Sequence, residues 1–379
     1  MSHYKSFLLI PNHSMSIDSD LVIIESAEAD MLEKLGERFS TLGVAAFETR
    51  ASITSLSGEL DRSKLKLHTL SSFEHDSAWR KVINYFRTAL ILPFILMQYD
   101  VVYIFCPGYI GLFASLWSRL LRKPYGIYIR GTWLNKNGKT AFWWRSAFKG
   151  AKFMIVTGES FKRRLQVYCK NVVNEVPLTA LTPCEVDLSD LSERSYSRII
   201  FVGRLNESKG VRDAIRAVAQ LGREGVKVEL LIAGGGTDDE IVILNKLRVE
   251  LEVEGNVRLL GHITPNELGK AYKRSSIFVF PSYYAEGFPR VLYEAMMYST
   301  AIITCEMPGT EGFLIDGENC VYTPPADSQC LADNLRRLLN DKSFTLKIAG
   351  NARQDVERVY ESFVDQSHAH QILRFMDTV

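Results

Sequence analysis

Cysteine and histidine are sparse in this sequence, six and seven among 379 residues, and neither falls into a metal-binding pattern. Cys106, Cys169, Cys184, Cys305, Cys320 and Cys330 include no C-x-x-C pair and no histidine at zinc spacing, which argues against a zinc ribbon or finger. Several stand in apolar runs, so buried free thiols in a reducing compartment are expected. His3, His13, His68, His75, His262, His368 and His370 make no H-E-x-x-H pattern. With G-x-S-x-G and a Walker loop also missing, zinc peptidases, serine hydrolases and P-loop ATPases drop out. Phe7-Leu8-Leu9-Ile10-Pro11 is too short for the apolar core of a secretory signal, so none is expected. The run from Thr88 to Trp117 holds one charge, Asp100, but Pro93, Asp100 and Pro107-Gly108 cut it into pieces shorter than the ~20 residues of a spanning helix.

What remains is an ordinary globular composition, 46% hydrophobic and 23% charged, in a chain long enough for two domains. The formal charge of +1 hides an asymmetry. Between Trp79 and Lys170 there are sixteen basic residues against two acids, Asp100 and Glu159. Aromatic residues are interleaved, as in Tyr85-Phe86-Arg87 and Phe142-Trp143-Trp144-Arg145. Such a mixture suits an anionic membrane surface; a solvated basic face and a nucleic-acid surface are the alternatives.

Strand and helix patterns alternate along the chain, as in a β-α-β wind. Ser6 to Ile10 reads as a first strand, Leu21 to Ile24 as a second, and Asp30 to Leu42 as an amphipathic helix, after which Val44 resumes an extended pattern. A helix ending at Met97, a buried strand Val101 to Phe105 and a helix from Tyr109 to Leu121 follow. Tyr125 opens another strand, and Phe153 to Thr157 reads as the last strand of the first domain. The polar stretch from Thr182 to Ser197 reads as a linker. The wind then restarts with strands Ile199 to Val202, Val228 to Ala233, Asn256 to Ile263, Ser276 to Pro281 and Ala301 to Thr304. Helices are expected over Leu331 to Leu339, Ser343 to Arg358 and Glu361 to Asp377.

Several strand ends carry candidate chemistry. Gly203 and Arg204 end one strand, and Lys209 lies five residues after Arg204 in the loop that follows, so two cations face the crevice where such sheets bind anions. Gly234-Gly235-Gly236 permits close backbone approach. Glu286-Gly287-Phe288-Pro289-Arg290 leads into a helix carrying Glu294, whose first N–H groups are free for an anion. Taken alone, Glu286 and Glu294 are also compatible with a loop acid and an i,i+4 partner for Arg290.

Glu286 to Glu294 closely resembles the E-x7-E signature of the retaining GT-B glycosyltransferases of family 4, and Gly203-Arg204-Leu205 with Lys209-Gly210 resembles that family's G-R-L…K-G element. Gly309-Thr310 and Asp316-Gly317-Glu318-Asn319 resemble its Gly-Gly and D-G-x-N turns, and Arg130-Gly131-Thr132 resembles an Arg-Gly variant of a strand end that usually carries histidine. The sequence departs from the family after the first strand, where Asn12-His13-Ser14-Met15-Ser16 replaces a glycine pair.

The resemblance implies an α/β GT-B fold of two Rossmann-like domains facing across a cleft, 1–185 and 186–358, with a C-terminal helix, 359–379, packing back on the first. It implies transfer of a sugar from a nucleotide-diphosphate sugar to a hydroxyl of a glycan or lipid-linked acceptor, with retention, in cell-surface polysaccharide synthesis. Glu286 would hold the donor sugar and Glu294 the ribose. Arg204, Lys209 and the helix start at Arg290 would take the diphosphate, and Gly261-His262 the base through main-chain groups. Arg130 would contact the acceptor or the leaving phosphate. No metal or other cofactor is expected, since Arg204, Lys209 and the helix start would serve the phosphates; Asp18-Ser19-Asp20 has the form of the metal-binding D-x-D of GT-A transferases but precedes any nucleotide-binding unit. A lipid-linked acceptor favours a membrane over nucleic acid as partner of region 79–170, and a cytoplasmic protein peripheral at the inner face of the cell membrane. A GT-B phosphorylase or epimerase and a non-catalytic GT-B subunit are the competing readings.

Overall fold

The computed structural model describes residues 4–18, 21–48, 57–70, 78–131, 133–134, 139–175, 194–283, 287–363 and 368–377. The chain divides into two compact units, Met1–Ala180 with Phe363–Val379, and Leu181–Ser362.

The first unit opens with β1 (Ser6–Ile10), β2 (Ser14–Asp18), β3 (Leu21–Glu25), α1 (Ser26–Gly36) and β4 (Thr41–Glu48). Strands β5 (Ser57–Asp61) and β6 (Leu65–Leu70), helix α2 (Ala78–Leu96), β7 (Val101–Cys106) and α3 (Tyr109–Leu120) follow. The unit continues through β8 (Tyr125–Ile129), α4 (Phe142–Gly150), β9 (Phe153–Val156), α5 (Glu159–Leu165) and β10 (Val172–Asn174). The sheet order is β10-β9-β8-β7-β1-β4-β2-β3-β5, with β6 also on β4. Its centre is parallel, and alternate side chains of each strand leave by opposite faces. Leu8, Ile10, Val102 and Ile104 meet α2, α3 and α4 on one face, whereas Phe7, Leu9, Val101 and Tyr103 meet α1 on the other.

In the second unit β11 (Ser195–Val202), α6 (Val211–Arg223), β12 (Glu229–Ala233), α7 (Asp238–Glu250), β13 (Val257–Gly261) and α8 (Pro265–Arg274) come first. After them come β14 (Ser275–Phe280), α9 (Arg290–Met297), β15 (Ala301–Thr304), β16 (Val321–Tyr322), α10 (Ser328–Asn340) and α11 (Lys342–Phe363). All the pairings are parallel, in the order β13-β12-β11-β14-β15-β16. Strand β14 is buried along its whole length: Ile277–Phe280 is an apolar run, and the hydroxyls of Ser275 and Ser276 are satisfied by backbone carbonyls. Helices α7 and α8 start where reciprocal capping boxes, Thr237 with Glu240 and Thr264 with Glu267, satisfy the first free N–H groups. The GT-B class expected from the sequence is the fold found.

Several expected elements are corrected. The helix placed at Asp30 to Leu42 runs from Ser26 to Gly36, because Thr41–Glu48 is taken up in parallel pairing with β1. Leu21–Glu25 belongs to an antiparallel meander with β2 and β5 instead of a parallel wind. Phe153–Val156 is followed by a further edge strand, Val172–Asn174. The helix expected over Glu361 to Asp377 is split: α11 extends to Phe363, and α12 (His368–Asp377) is a separate helix of the first unit. There His368 is buried between Glu175 and Tyr103, accepting the Tyr103 hydroxyl at 2.8 Å on Nε2 and donating from Nδ1 to the Glu175 carboxylate. Most of the stretch read as a linker lies outside the described residues, and β11 already begins at Ser195.

Among the described residues no helix is long and apolar enough to cross a membrane. Cys106, Cys169, Cys305 and Cys320 are buried free thiols, Cys330 is partly exposed, and Cys184 lies outside the described residues.

Candidate active site

The strand order of the second unit reverses between β11 and β14: the chain leaves β11 towards β12 and leaves β14 towards β15. A doubly wound sheet opens a crevice outside the carboxyl ends of its strands at such a point. The two loops that rim it are fastened together. Tyr283 donates its backbone N–H to the Ser208 carbonyl at 3.1 Å, and Ser282 Oγ donates to the same oxygen at 3.3 Å. Gly210 adopts φ +73°, and a Cβ there would lie 2.2 Å from the Pro281 carbonyl oxygen, so only glycine allows this approach. Gly203 donates to Ala233, Leu205 to Gly235 and Gly234 to Gly261, at 3.0, 2.9 and 2.9 Å, which sets three successive strand ends side by side. His262 follows on the exposed side of Gly261.

Arg204 is exposed and its side chain pairs with no described residue. Lys209 is half-buried, its Nζ 5.6 Å from the ring centroid of Phe280, so its stem is held by strand β14. Arg290 is the first residue of α9; Pro289 precedes it and offers no side-chain cap, so the leading N–H groups of that helix face outward. Gly287 is buried against Gly309, where a Cβ would lie 2.0 Å from the Gly287 carbonyl carbon, and Phe288 stacks edge-on against Phe313 and Tyr293. Glu294 is partly buried one turn into α9, and accepts the Tyr272 hydroxyl at 3.3 Å. Burial pushes its carboxyl up to about 7, against the opposing pull of Arg290 and the Tyr272 bond. Glu286 lies outside the described residues. The same is true of Ser19 and Asp20 in the D-x-D string.

In the first unit Arg130, just past β8, is neither exposed nor isolated. Its Nη2 donates to Glu25 at 2.7 Å and its Nη1 to Glu28 at 2.9 Å. Glu28 is fully buried and takes a third bond from His13 Nε2, 2.7 and 2.8 Å from its two oxygens. The acids raise the His13 ring above its ordinary value against the opposing effect of burial. His13, Glu25 and Glu28 bring their ligand atoms within 4.8 Å of one another, close enough for a cation, but the Arg130 guanidinium already pairs with both carboxylates. Sequence reading picked out Arg130 and missed its two partners, Glu25 and Glu28, and the His13 that bonds to Glu28. They come from the loop after β1, the end of β3 and the first turn of α1, so no linear spacing joins them; the one signal was His13 inside the departure from the family's glycine pair.

Residues 191–355 match the family model of the glycosyl transferases group 1. The capsular polysaccharide biosynthesis glycosyltransferase CapM of Staphylococcus aureus is 26% identical over 275 residues, 66% of this chain and 70% of that protein. An uncharacterized glycosyltransferase of Methanocaldococcus jannaschii is 33% identical over 162 residues, but this match spans only 43% of this chain and 40% of that protein. The solved structure of Anabaena HepE in complex with UDP-glucose superposes over 100% of both chains with a TM-score of 0.69 at 16% identity, a likeness of fold. A group 1 match laid over the switch-point unit, a GT-B fold along the whole chain and a glycosyltransferase relative along two thirds of it make this protein a glycosyltransferase.

Proposed function

We propose that this enzyme moves a sugar from a nucleoside-diphosphate sugar to a hydroxyl of a glycan or lipid-linked acceptor, with retention at the reacting carbon and without a metal. The observation that carries the donor reading is the switch point of the second unit, where Arg204, Lys209 and the uncapped start of α9 share one rim. Breaking the bond between sugar and diphosphate develops negative charge on the leaving oxygens. Two cations and a helix start placed beforehand lower that barrier without reorganising. Glu294 accepts hydrogen bonds from the ribose hydroxyls, and Glu286, assigned from sequence alone, accepts those of the sugar. The base lies along Gly261 and His262. A thermal-shift screen over UDP-, GDP- and ADP-sugars identifies the donor, because a bound ligand raises apparent stability by mass action. Glu286→Ala is expected to abolish turnover, and unchanged turnover would sink the assignment. The part of one relative, CapM of Staphylococcus aureus, in capsular polysaccharide biosynthesis supports a surface glycan as the product.

The acceptor reading extends to an anionic membrane. Helix α2 buries Leu92, Ile95 and Leu96 against the sheet, while Trp79, Ile83, Phe86, Leu90 and Phe94, with Met97 just beyond it, are 50 to 77% exposed. Those six recur every three or four residues and form one stripe along the helix. Phe142 and Trp143 are exposed on α4, which packs on the same face of the sheet through Ala147 and Phe148. Exposed Arg87, Arg119, Arg122, Arg145 and Lys149 surround these residues in sequence. An apolar stripe among cations fits a bilayer carrying anionic lipid. Sedimentation with phosphatidylglycerol vesicles should give binding that weakens as salt rises; no binding at low salt contradicts it.

A further inference from the structure

Arg130 is held from behind. Its guanidinium spans Glu25 and Glu28, so its direction is set before any substrate arrives. Glu28 has no exposure, and one guanidinium shared between two carboxylates leaves a negative charge uncompensated in the interior. His13 supplies the missing cation. Both of its ring nitrogens face oxygens that accept: Nδ1 lies 3.1 Å from the Ser14 carbonyl, and Nε2 lies against the Glu28 carboxylate. A neutral imidazole has a single N–H and cannot serve both. The arrangement therefore places an extra proton in the His13–Glu28 pair, and with it the cluster of His13, Glu25, Glu28 and Arg130 is neutral overall.

Stability does not account for such a cluster, because desolvating four charged groups costs about as much as their attraction returns. Its location does. The loop after β1 and the end of β8 lie at the carboxyl edge of the parallel sheet, and β1 and β7 flank the point where that strand order reverses. That is where a doubly wound unit receives a ligand. Glu28 is hidden, while His13, Glu25 and Arg130 keep 25, 27 and 16% of their side chains in contact with solvent. The buried carboxylate thus acts as the anchor, and the partly exposed groups form the working edge.

We propose that His13 and Glu28 are positioning residues that hold the Arg130 guanidinium at the acceptor edge of the first unit. The proposal rests on the glycosyltransferase reading of that edge and adds the means by which Arg130 is kept in place. The groups facing His13 are Glu28 on α1, Glu25 at the end of β3 and, across the carboxylates, Arg130 after β8. When His13 loses its second proton, Glu28 loses the charged partner that fixes its carboxylate, and the seat it offers Arg130 is no longer held in one place.

Two measurements test this, and the first needs no substrate. In protein labelled with 15N and 13C at histidine and arginine, with His13→Gln and Arg130→Lys assigning the signals, His13 is expected to titrate above 6.5 and Glu28→Gln to lower that midpoint. The Arg130 Nη–H signals, whose protons are bonded to Glu25 and Glu28, should be protected from exchange in the wild type and lose that protection in His13→Gln. A His13 midpoint at or below 6.5, or unchanged Arg130 protection, overturns the proposal. The second is donor turnover as a function of pH. His13→Gln should lower kcat about 10- to 100-fold with donor KM unchanged and flatten the alkaline limb, and His13→Lys, a lasting cation, should restore part of the rate. A wild-type profile in His13→Gln overturns the proposal, whereas a wild type that turns over no donor overturns the proposed function and leaves the first measurement to decide the positioning.

Discussion

Glu294 is the residue where stability and function pull in opposite directions. Its carboxyl is pushed from an ordinary 4.5 to about 7 by burial. A folded-state value above the unfolded one means a contribution that is fully present below about pH 4.5 and lost as pH rises through 7. Glu294→Gln removes that loss. The variant is expected to be more stable than the wild type at pH 8 by up to about 2 kcal/mol, reduced by the site's partial exposure, and equal to it near pH 4. Melting curves across pH check this, and parallel curves would contradict it. The same change should weaken donor binding by about 1.5–3 kcal/mol at pH 8, the range for a hydrogen bond to a charged group. Arg204, exposed and unengaged among the described residues, behaves differently: its removal is expected to leave the melting temperature unmoved and reach only the reaction.

At the scale of elements, the loop before α9 depends on Gly309. A methyl group there would meet the Gly287 backbone at 2.0 Å, so Gly309→Ala has to displace the Gly287-Phe288-Pro289 turn or its own turn. The expected cost is about 1–3 kcal/mol in urea denaturation, together with a loss of donor-induced thermal shift. A variant as stable and as responsive as the wild type would show that the turn has room. For α2, Phe86→Glu with Leu90→Glu should abolish vesicle binding without loss of stability, since both side chains point into solvent. The elements of the second unit were legible in the sequence because several strands contain a short, unbroken apolar run, as in Ile199–Val202 and Ala301–Thr304, and the starts of α7 and α8 are marked by threonine caps. The first unit was harder to read. Strands β2 and β5 have too few apolar residues to be read as strands, so the antiparallel partners of β3 were hidden, and α1 starts four residues before its expected place because Ser26 and Glu28 resemble loop residues in isolation. The donor-side residues stood out since Arg204, Lys209 and Glu294 lie in compact strings. His13, Glu25 and Glu28 did not, since only the fold brings them to Arg130.

Across the whole molecule, the chain returns to its first unit through α12. Ala369, Ile372 and Met376 are buried there, and Phe375 stacks on Phe153 at 4.8 Å between centroids. His368 is the polar centre of this contact. Its replacement by alanine leaves the buried Glu175 carboxylate and the Tyr103 hydroxyl unpaired, and should cost about 3–5 kcal/mol in urea denaturation. A loss below about 1 kcal/mol would mean that water takes over both bonds. In the second unit, strand order, fastened loops and two cations together suit a cradle for a nucleoside diphosphate leaving group. Its most direct test is release of nucleoside diphosphate from UDP-, GDP- and ADP-sugars by the wild type and by Arg204→Ala and Lys209→Ala. One donor is predicted to be consumed by the wild type, and each variant to lose about 100- to 1,000-fold in kcat while keeping the wild-type melting temperature. Release at the wild-type rate by both variants, or no release from any donor, would contradict the account.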